Sequence, residues 1–230
     1  DGVEATVRWA FASYRPNNDW LLRAGRLRPP VLINTQNAEV GMTFDQVRLP
    51  VEVYSLSPVY DLDGAAFTRT WIGNESETVL DGYLGVSKVK FRIPFQRDAN
   101  QTIFPDRYLS EKVNFMGLVV SHNSGPLLLR AGVHHAVIQA EKERPFHDFL
   151  PRSFPGPSPF GGVLFAPGKA IDSISVNVLT FGADWRHGNW RLSGEYGQSV
   201  INDTQPGIGD KRAYVTIARA FELWTPYVSF

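Results

Sequence analysis

The sequence LTFGADWRHGNWRLSGEY at residues 179–196 decides the fold class of this chain. Apolar residues occupy every second position from Leu179 to Trp185, and a similar alternation runs from Trp190 to Tyr196. The four residues between the tryptophans, Arg186-His187-Gly188-Asn189, have the composition of a short turn. Alternation with period two on both sides of a short turn predicts a β-hairpin that has one apolar face and one polar face.

The tryptophans indicate what surrounds the apolar face. The chain has six of them, and all lie at or near short turns, with Trp9 further from its turn than the others: Trp9, Trp20, Trp71, Trp185, Trp190 and Trp224. In transmembrane β-barrels, aromatic rings lie at the boundary between water and lipid. The pattern therefore predicts a transmembrane β-barrel with nearly all tryptophans at the end that carries the short turns.

Ten strand-like runs, joined alternately by short turns and long loops, follow from the same patterns. The predicted strands are residues 3–14, 20–28, 62–73, 78–88, 110–122, 126–138, 173–186, 190–200, 211–222 and 224–230. The predicted long loops are residues 29–61, 89–109, 139–172 and 201–210. This is an all-β, antiparallel, up-and-down meander in which apolar side chains face outward and polar ones inward. In the first strand, Val7, Trp9 and Phe11 are predicted on the apolar face and Arg8 on the polar face. The facing of the third and fifth strands stays open.

Composition narrows the classes of protein. No run approaches the roughly 18 apolar residues that a membrane-spanning helix needs. With 23 basic and 23 acidic residues, the net charge is zero, so no nucleic-acid partner is expected. The chain is predicted to be a single β-barrel domain over residues 1–230. The direction of its first and last strands predicts a fragment that lacks strands at both ends, from a barrel of about 16 strands.

Several short sequences resemble proteobacterial outer-membrane porins. They are VEATVRWA (3–10), LRAGRLRPP (22–30), GMTF (41–44), LPVEVY (49–54), LDGA (62–65), YVT (214–216) and WTPY (224–227). The resemblance implies a trimeric β-barrel in the bacterial outer membrane that conducts small hydrophilic solutes. Membrane lipid and lipopolysaccharide are the partners that this implies. Neither an enzymatic activity nor a cofactor is expected.

Six charged residues are predicted to line the pore, because they fall on the polar side of their strands: Arg8, Arg23, Arg130, Asp184, Arg191 and Glu195. An excess of cationic groups on the wall would favour anions. The alternative is that the arginines form salt bridges with neighbouring carboxylates, for which Glu4, Asp81, Asp184 and Glu195 are available. The Pro-rich and Phe-containing loop 139–172 is predicted to fold inward and narrow the passage.

Other functions remain as alternatives. The barrel could be a sheath around a partner such as a cytochrome electron conduit, or the chain could be a soluble carbohydrate-binding β-sandwich. An outer-membrane hydrolase would have to use Ser121 or Ser153 with His147. No metal site is predicted, because His134, His135 and His147 lack the spacing that places two ligands on one face; Glu141 and Asp148 are the nearest carboxylates. Arg26 and Arg28, which precede Pro29-Pro30, either contact lipopolysaccharide or are solvated residues where the long loop begins.

Overall fold

The computed structural model describes residues 7–57, 59–93, 96–97, 103–104, 107–140, 146–154, 162–202 and 209–230. Nearly all regular structure in this part of the chain is β-strand. A 3-10 helix at Gly41–Thr43 and the short helix α1 at Val51–Tyr54 lie in the first long loop. Within the described residues, no helix is both long and apolar enough to span a membrane.

Fourteen strands are formed by the described residues. They are β1 (Ala10–Asn17), β2 (Trp20–Leu27), β3 (Leu62–Ile72), β4 (Ser76–Ile93), β5 (Gln96–Arg97), β6 (Ile103–Phe104), β7 (Arg107–Ser124), β8 (Leu127–Gln139), β9 (Phe146–Phe154), β10 (Gly162–Ile171), β11 (Ser173–His187), β12 (Trp190–Ile201), β13 (Gly209–Arg219) and β14 (Tyr227–Ser229).

Ten of these strands form a single antiparallel sheet in the order β1-β2-β3-β4-β7-β8-β11-β12-β13-β14. The predicted meander of about ten strands is therefore confirmed. Strands β5 and β6 form one small sheet of two strands, and β9 and β10 form another. In the described part of the chain, β1 pairs only with β2 and β14 only with β13, so these two strands are the edges of the large sheet.

Two predicted long loops contain more strand than expected. Strand β4 continues to Ile93 and β7 begins at Arg107, so the predicted loop 89–109 belongs largely to an extended hairpin. The predicted loop 139–172 contains the β9–β10 hairpin, which includes Pro151 and Pro167. Because this hairpin is separate from the large sheet, its prolines interrupt no central ladder. The prediction that loop 139–172 narrows a passage concerns side chains that lie outside the described residues.

One face of the sheet exposes a continuous set of apolar side chains, and we call it the apolar face. Directly paired residues of antiparallel strands point to the same side, so the pairs Leu118–Val133 and Val133–Leu179 define this face across three strands. Its exposed members are Leu22, Leu84, Met116, Leu118, Val120, Leu129, Val133, Leu179, Phe181, Leu192, Val215 and Ile217. The predicted alternation in β11 and β12 agrees with the side chains observed on this face.

The predicted facing of the first strand was wrong. Ser13 pairs with Arg23 and Phe11 with Gly25, so Phe11 lies on the same side as Arg23 and opposite the apolar face. Gly25 has φ +132°, and an added Cβ there would be 2.8 Å from the Phe11 Cα, so the two strands approach closely at this point. The sequence pattern of the first strand does not by itself predict this register with β2. Residues 7–9, which were predicted as strand, precede β1, and residues 1–6 lie outside the described part.

The opposite side of the sheet is covered by the segment 28–61, which is described except at residue 58. We call this side the covered face. Val31, Leu32 and Val53 of the segment are buried together with Tyr83 and Phe115 of the sheet. Burial of each such side chain contributes about 1.5–3 kcal/mol. The covered face is therefore apolar at β4 and β7, although the sequence predicted polar inward faces in general and left the facing of the fifth predicted strand, which corresponds to β7, open.

Five tryptophans lie at the short-turn end of the sheet, as predicted: Trp20, Trp71, Trp185, Trp190 and Trp224. Trp9, which the sequence already placed further from its turn, is the one tryptophan that lies elsewhere, in keeping with the prediction for nearly all of them. It precedes β1 at the end that carries the long loops, where its ring lies 4.8 Å from the guanidinium carbon of Arg28. Trp9 is separated from the first short turn by the length of β1.

Candidate functional site at the covered face

Glu195 accepts hydrogen bonds from three residues in the interface between the covered face and segment 28–61. Its side chain accepts hydrogen bonds from the backbone N–H of Ile33 at 2.6 Å, the hydroxyl of Tyr54 at 2.7 Å and the hydroxyl of Tyr214 at 2.6 Å. Ile33 and Tyr54 belong to the segment, whereas Tyr214 is the direct cross-strand partner of Glu195. One carboxylate thus joins two points of the segment to the sheet. Hydrogen bonds to a charged group contribute about 1.5–3 kcal/mol each.

Arg130 holds the same stretch of the segment from the neighbouring strand β8. Its guanidinium donates to the backbone carbonyls of Leu32 at 3.0 Å and Ile33 at 3.2 Å. Gly182 pairs with Arg130 across the ladder, and its missing side chain leaves room for Ile33. An added Cβ at Gly182 would lie 2.8 Å from Cδ1 of Ile33. The absence of a side chain at Gly182 therefore provides the space that the Ile33 side chain occupies.

A chain of polar side chains extends the contact toward the centre of the sheet. The hydroxyl of Tyr83 lies 2.6 Å from Nδ1 of His134, and Nε2 of His134 lies 3.2 Å from Oγ1 of Thr180. Thr180 in turn donates to the carbonyl of Val31 at 3.1 Å. These contacts are all satisfied when Tyr83 donates to Nδ1 and a neutral His134 donates to Thr180. The buried histidine therefore supports the position of the segment through Thr180.

The middle of the segment is attached to β11–β14 by a second group of polar contacts. Arg191 bridges Asp184 of β11, at 3.0 Å, and Asp45 of the segment, at 2.7 Å. The side chain of Gln46 donates to Oγ1 of Thr216 at 3.2 Å, and the N–H of Val47 donates to the hydroxyl of Tyr227 at 3.1 Å. Near α1, Arg212 donates to the carbonyl of Glu52 at 2.6 Å. The segment is thus fixed at several separate points.

The hydroxyl of Tyr54 is shielded from water in this arrangement. Burial and, after it, the nearby carboxylate of Glu195 raise the pKa of Tyr54 above its ordinary value of 10.0. A tyrosine hydroxyl is protonated at neutral pH in any case, and the raised pKa keeps Tyr54 protonated, and a hydrogen-bond donor to Glu195, to higher pH. A second contact uses the oxygen of the same hydroxyl, which accepts from the N–H of Asn34 at 3.1 Å.

The site brings together four of the six predicted pore residues, namely Arg130, Asp184, Arg191 and Glu195, all of which contact segment 28–61 directly or through one partner. Arg23 lies apart, 3.7 Å from Asp81 and 3.0 Å from the hydroxyl of Thr68. Salt bridges, the alternative role considered for the arginines, are present for Arg23 with Asp81 and for Arg191 with Asp184. The role of these residues in lining a pore stays a prediction.

Arg8 lies outside the strand in which it was predicted. Half of its side chain is exposed, and it forms an ion pair with Asp61 at 3.3 Å, next to the start of β3. Glu4, which was considered as a salt-bridge partner, lies outside the described residues. Arg26 forms a bidentate ion pair with Asp63, with N–O distances of 2.8 and 2.7 Å. The buried side chain of Arg28 forms a salt bridge with Glu39. Both arginines therefore have protein carboxylates as partners.

The residues considered for a metal site or a hydrolase do not converge within the described chain. His134 lies on the covered face, whereas His135 points to the apolar face and lies 2.8 Å from Asn177. No group of three or more metal-ligating side chains is present among the described residues. Ser121 is buried. The remaining candidates, which are Glu141, His147, Asp148 and Ser153, have side chains outside the described part.

Sequence reasoning missed the residues of the segment that complete the site. Tyr54, Ile33 and Asp45 lie in a predicted loop, where no periodic pattern indicates which side chain faces the sheet. Thr180 and Tyr214 were predictable only as members of the polar side of their strands. Comparison with known proteins adds no assignment, since no family model, no curated protein and no solved structure matches the chain. The resemblance to porins rests on the short sequences that suggested it.

Proposed function

We propose that this protein is an outer-membrane β-barrel porin whose aqueous passage is narrowed by segment 28–61. The observation that carries the proposal is the contrast between the two faces of one sheet. The apolar face exposes large side chains from β2 to β13, while the opposite face carries charged groups and an inward-folded loop. This is the distribution that a barrel between lipid and water requires.

Exposure of the apolar face supports contact with lipid. Leu84 is 62% exposed, Val133 is 54% exposed and Phe181 is 48% exposed, and they lie on three different strands. Monomeric soluble proteins rarely expose contiguous apolar patches larger than a few hundred Å². A soluble β-sandwich would bury this face beneath a second sheet, and in the described residues no second large sheet covers it.

The position of segment 28–61 favours a channel over a sheath. A sheath around a partner protein needs an empty interior, whereas a porin carries a loop that restricts its interior. The segment occupies the polar side of the sheet and is attached to it through Glu195, Arg130 and Arg191. In this proposal, segment 28–61 has the constricting role that the sequence suggested for loop 139–172.

Apolar packing and polar attachment divide the covered face into two parts. At β4 and β7 the segment packs against Tyr83 and Phe115, which excludes water. At β11–β13 it is attached by hydrogen bonds to the buried side chains of Glu195 and Thr216. The segment excludes water from both parts, so the proposed aqueous path for small hydrophilic solutes runs past segment 28–61 and not beneath it.

The proposed location rests on the topology of the sheet, and the proposed assembly rests on the resemblance to porins. Short turns face the periplasm in bacterial outer-membrane barrels and long loops face outward. Segment 28–61 would then enter from the outer side, where lipopolysaccharide is the neighbouring lipid. A homotrimer and a total of about 16 strands complete the proposal by analogy with porins.

Planar-bilayer recordings test the proposal. The intact protein, refolded in detergent and added to a bilayer, should give stepwise increases in conductance, while heat-denatured protein at the same concentration should give none. Folded protein that stays monodisperse in buffer without detergent and produces no conductance steps would contradict it. Folded protein that inserts without conducting would favour the sheath, because its interior would have to be filled by a missing partner.

A further inference from the structure

Two arginines at the short-turn end are each flanked by two aromatic rings. The guanidinium carbon of Arg69 lies 5.1 Å from the ring centre of Trp20 and 4.7 Å from that of Trp71. Trp20 is the cross-strand partner of Arg69, and Trp71 follows two residues later on the same strand. All three side chains therefore project from the same side of the sheet.

Arg219, which ends strand β13, has the same arrangement of aromatic rings. Its guanidinium carbon lies 5.0 Å from the ring centre of Trp190 and 5.0 Å from that of Phe221. Trp190 is its cross-strand partner, as Trp20 is that of Arg69. Strands β3 and β13 are separated by six steps in the sheet order, or about 29 Å at the usual strand spacing. The two arginine sites are therefore separate.

Both arginines lie on the apolar face. Arg69 follows Phe67, the direct partner of Leu22, by two residues, and Arg219 follows the exposed Ile217 by two residues. Side chains two residues apart on a strand share a face. A guanidinium on this face lies at the edge of the surface that the proposed function assigns to lipid, at the level of the interface with water.

Neither arginine has a carboxylate within salt-bridge distance in the described part of the chain, although many other arginines do. Arg23, Arg26, Arg191 and other arginines are paired in this way. Nε of Arg69 is buried and has no hydrogen-bond partner among the described residues. Near the interface with water, a cation on the lipid-facing surface of a barrel costs little free energy, and an anionic headgroup at the same level can pair with it.

We infer that Arg69 and Arg219 each bind the phosphate of an anionic phospholipid in the leaflet at the short-turn end. This inference rests on the proposed function, since it requires the apolar face to contact lipid. Contact between the guanidinium and an aromatic ring uses the face of the cation and leaves N–H groups at its edge for phosphate oxygens. The flanking rings restrict the arginine side chain, and lipid acyl chains pack on the adjoining apolar face.

Native mass spectrometry of the intact protein in detergent tests this inference. The protein is supplied with phosphatidylglycerol or with diacylglycerol that has the same acyl chains. We expect phosphatidylglycerol to be retained at least about tenfold more strongly, which corresponds to 1.4 kcal/mol for the headgroup contact. Equal retention of the two lipids would overturn the inference without any mutation, so the result does not depend on whether a variant folds.

Variants then locate the sites. Arg69→Gln and Arg219→Gln should each weaken retention of one phosphatidylglycerol by about tenfold, and the double variant should lose both. Arg15→Gln is the control, because Arg15 is an exposed arginine near the same end without an observed aromatic contact. Unchanged retention in the double variant, or an equal loss in R15Q, would overturn the inference.

Bilayer conductance of the same wild-type preparation separates the two proposals. Conducting protein that shows no headgroup preference refutes the lipid sites and leaves the porin proposal intact. Protein that retains phosphatidylglycerol through Arg69 and Arg219 without conducting refutes the porin and keeps the membrane contact.

Discussion

Replacing Glu195 with glutamine should release the first part of segment 28–61 from the sheet. The carboxylate accepts three hydrogen bonds, from Ile33 N–H, Tyr54 and Tyr214. An amide of the same shape has only one oxygen acceptor, so at least one of these donors loses its acceptor in E195Q. Glu195 as a residue is only 4% exposed, so water can hardly reach the donor that loses its acceptor.

The size of the effect follows from the type of bond. A hydrogen bond to a charged acceptor contributes about 1.5–3 kcal/mol. Since each 1.4 kcal/mol is a factor of ten in an equilibrium, local opening around Ile33 should become about 10- to 100-fold more frequent in E195Q. Opening exposes backbone amides to exchange with solvent, and the ladders of the large sheet should be affected much less.

Hydrogen–deuterium exchange with mass spectrometry measures this opening. Peptides that cover residues 30–36 should exchange faster in E195Q, whereas peptides from β11 should keep their wild-type rates. Glu75→Gln is the matched control, because it makes the same chemical change at an exposed position in the β3–β4 turn. Wild-type exchange over residues 30–36 in E195Q would refute the view that an ionised Glu195 holds the segment.

Three further predictions concern the sheet, the pH response and the proposed channel. Gly64→Ala should destabilise the fold by about 1–3 kcal/mol in urea unfolding, because its Cβ would lie 2.6 Å from Gly85 Cα, whereas Gly41→Ala in open space should change little. Because the pKa of Tyr54 is raised, its contribution to stability is complete below its unfolded pKa of about 10 and falls as the pH rises further. Tyr54→Phe should reduce that loss of stability between pH 10 and 11, and an unchanged pH profile would contradict the assignment. In asymmetric KCl, the intact protein should show an anion preference that Arg130→Ala reduces, since Arg130 has no carboxylate within salt-bridge distance among the described residues; cation preference would contradict this.

The strands of the large sheet were predictable because alternation is a local signal. From Leu179 to Trp185 and from Trp190 to Tyr196, apolar residues or glycine alternate along the chain with polar residues or glycine. One short turn separates the two runs. Loop 29–61 and the short turns were also predictable from composition and spacing. The predicted loop 89–109 was too long, because the strands β4 and β7 continue through residues whose pattern is not regularly alternating.

The facing of the first strand required information that its own sequence does not contain. Trp9 and Phe11 are apolar and alternate with Arg8, which predicts an apolar side that includes Phe11. The pairing of Phe11 with Gly25 decides otherwise, and that pairing depends on the backbone of a neighbouring strand. A shift of one residue exchanges the two faces of a strand, so a register error changes every predicted side.

Segment 28–61 and the covered face specify each other, and this explains why the candidate site was only half predictable. The sheet contributes an apolar surface at Tyr83 and Phe115 and a carboxylate at Glu195. The segment presents buried aliphatic side chains to the first and the N–H of Ile33 to the second. Moving the segment by one residue would remove Ile33 both from the space at Gly182 and from its hydrogen bond to Glu195. The alternation of the strands predicts which of their side chains face inward, but only the packed segment determines that Glu195 and Arg130 act as its attachment points. Substitutions at these two residues therefore test the segment and the sheet jointly, because each interaction has one member in either part.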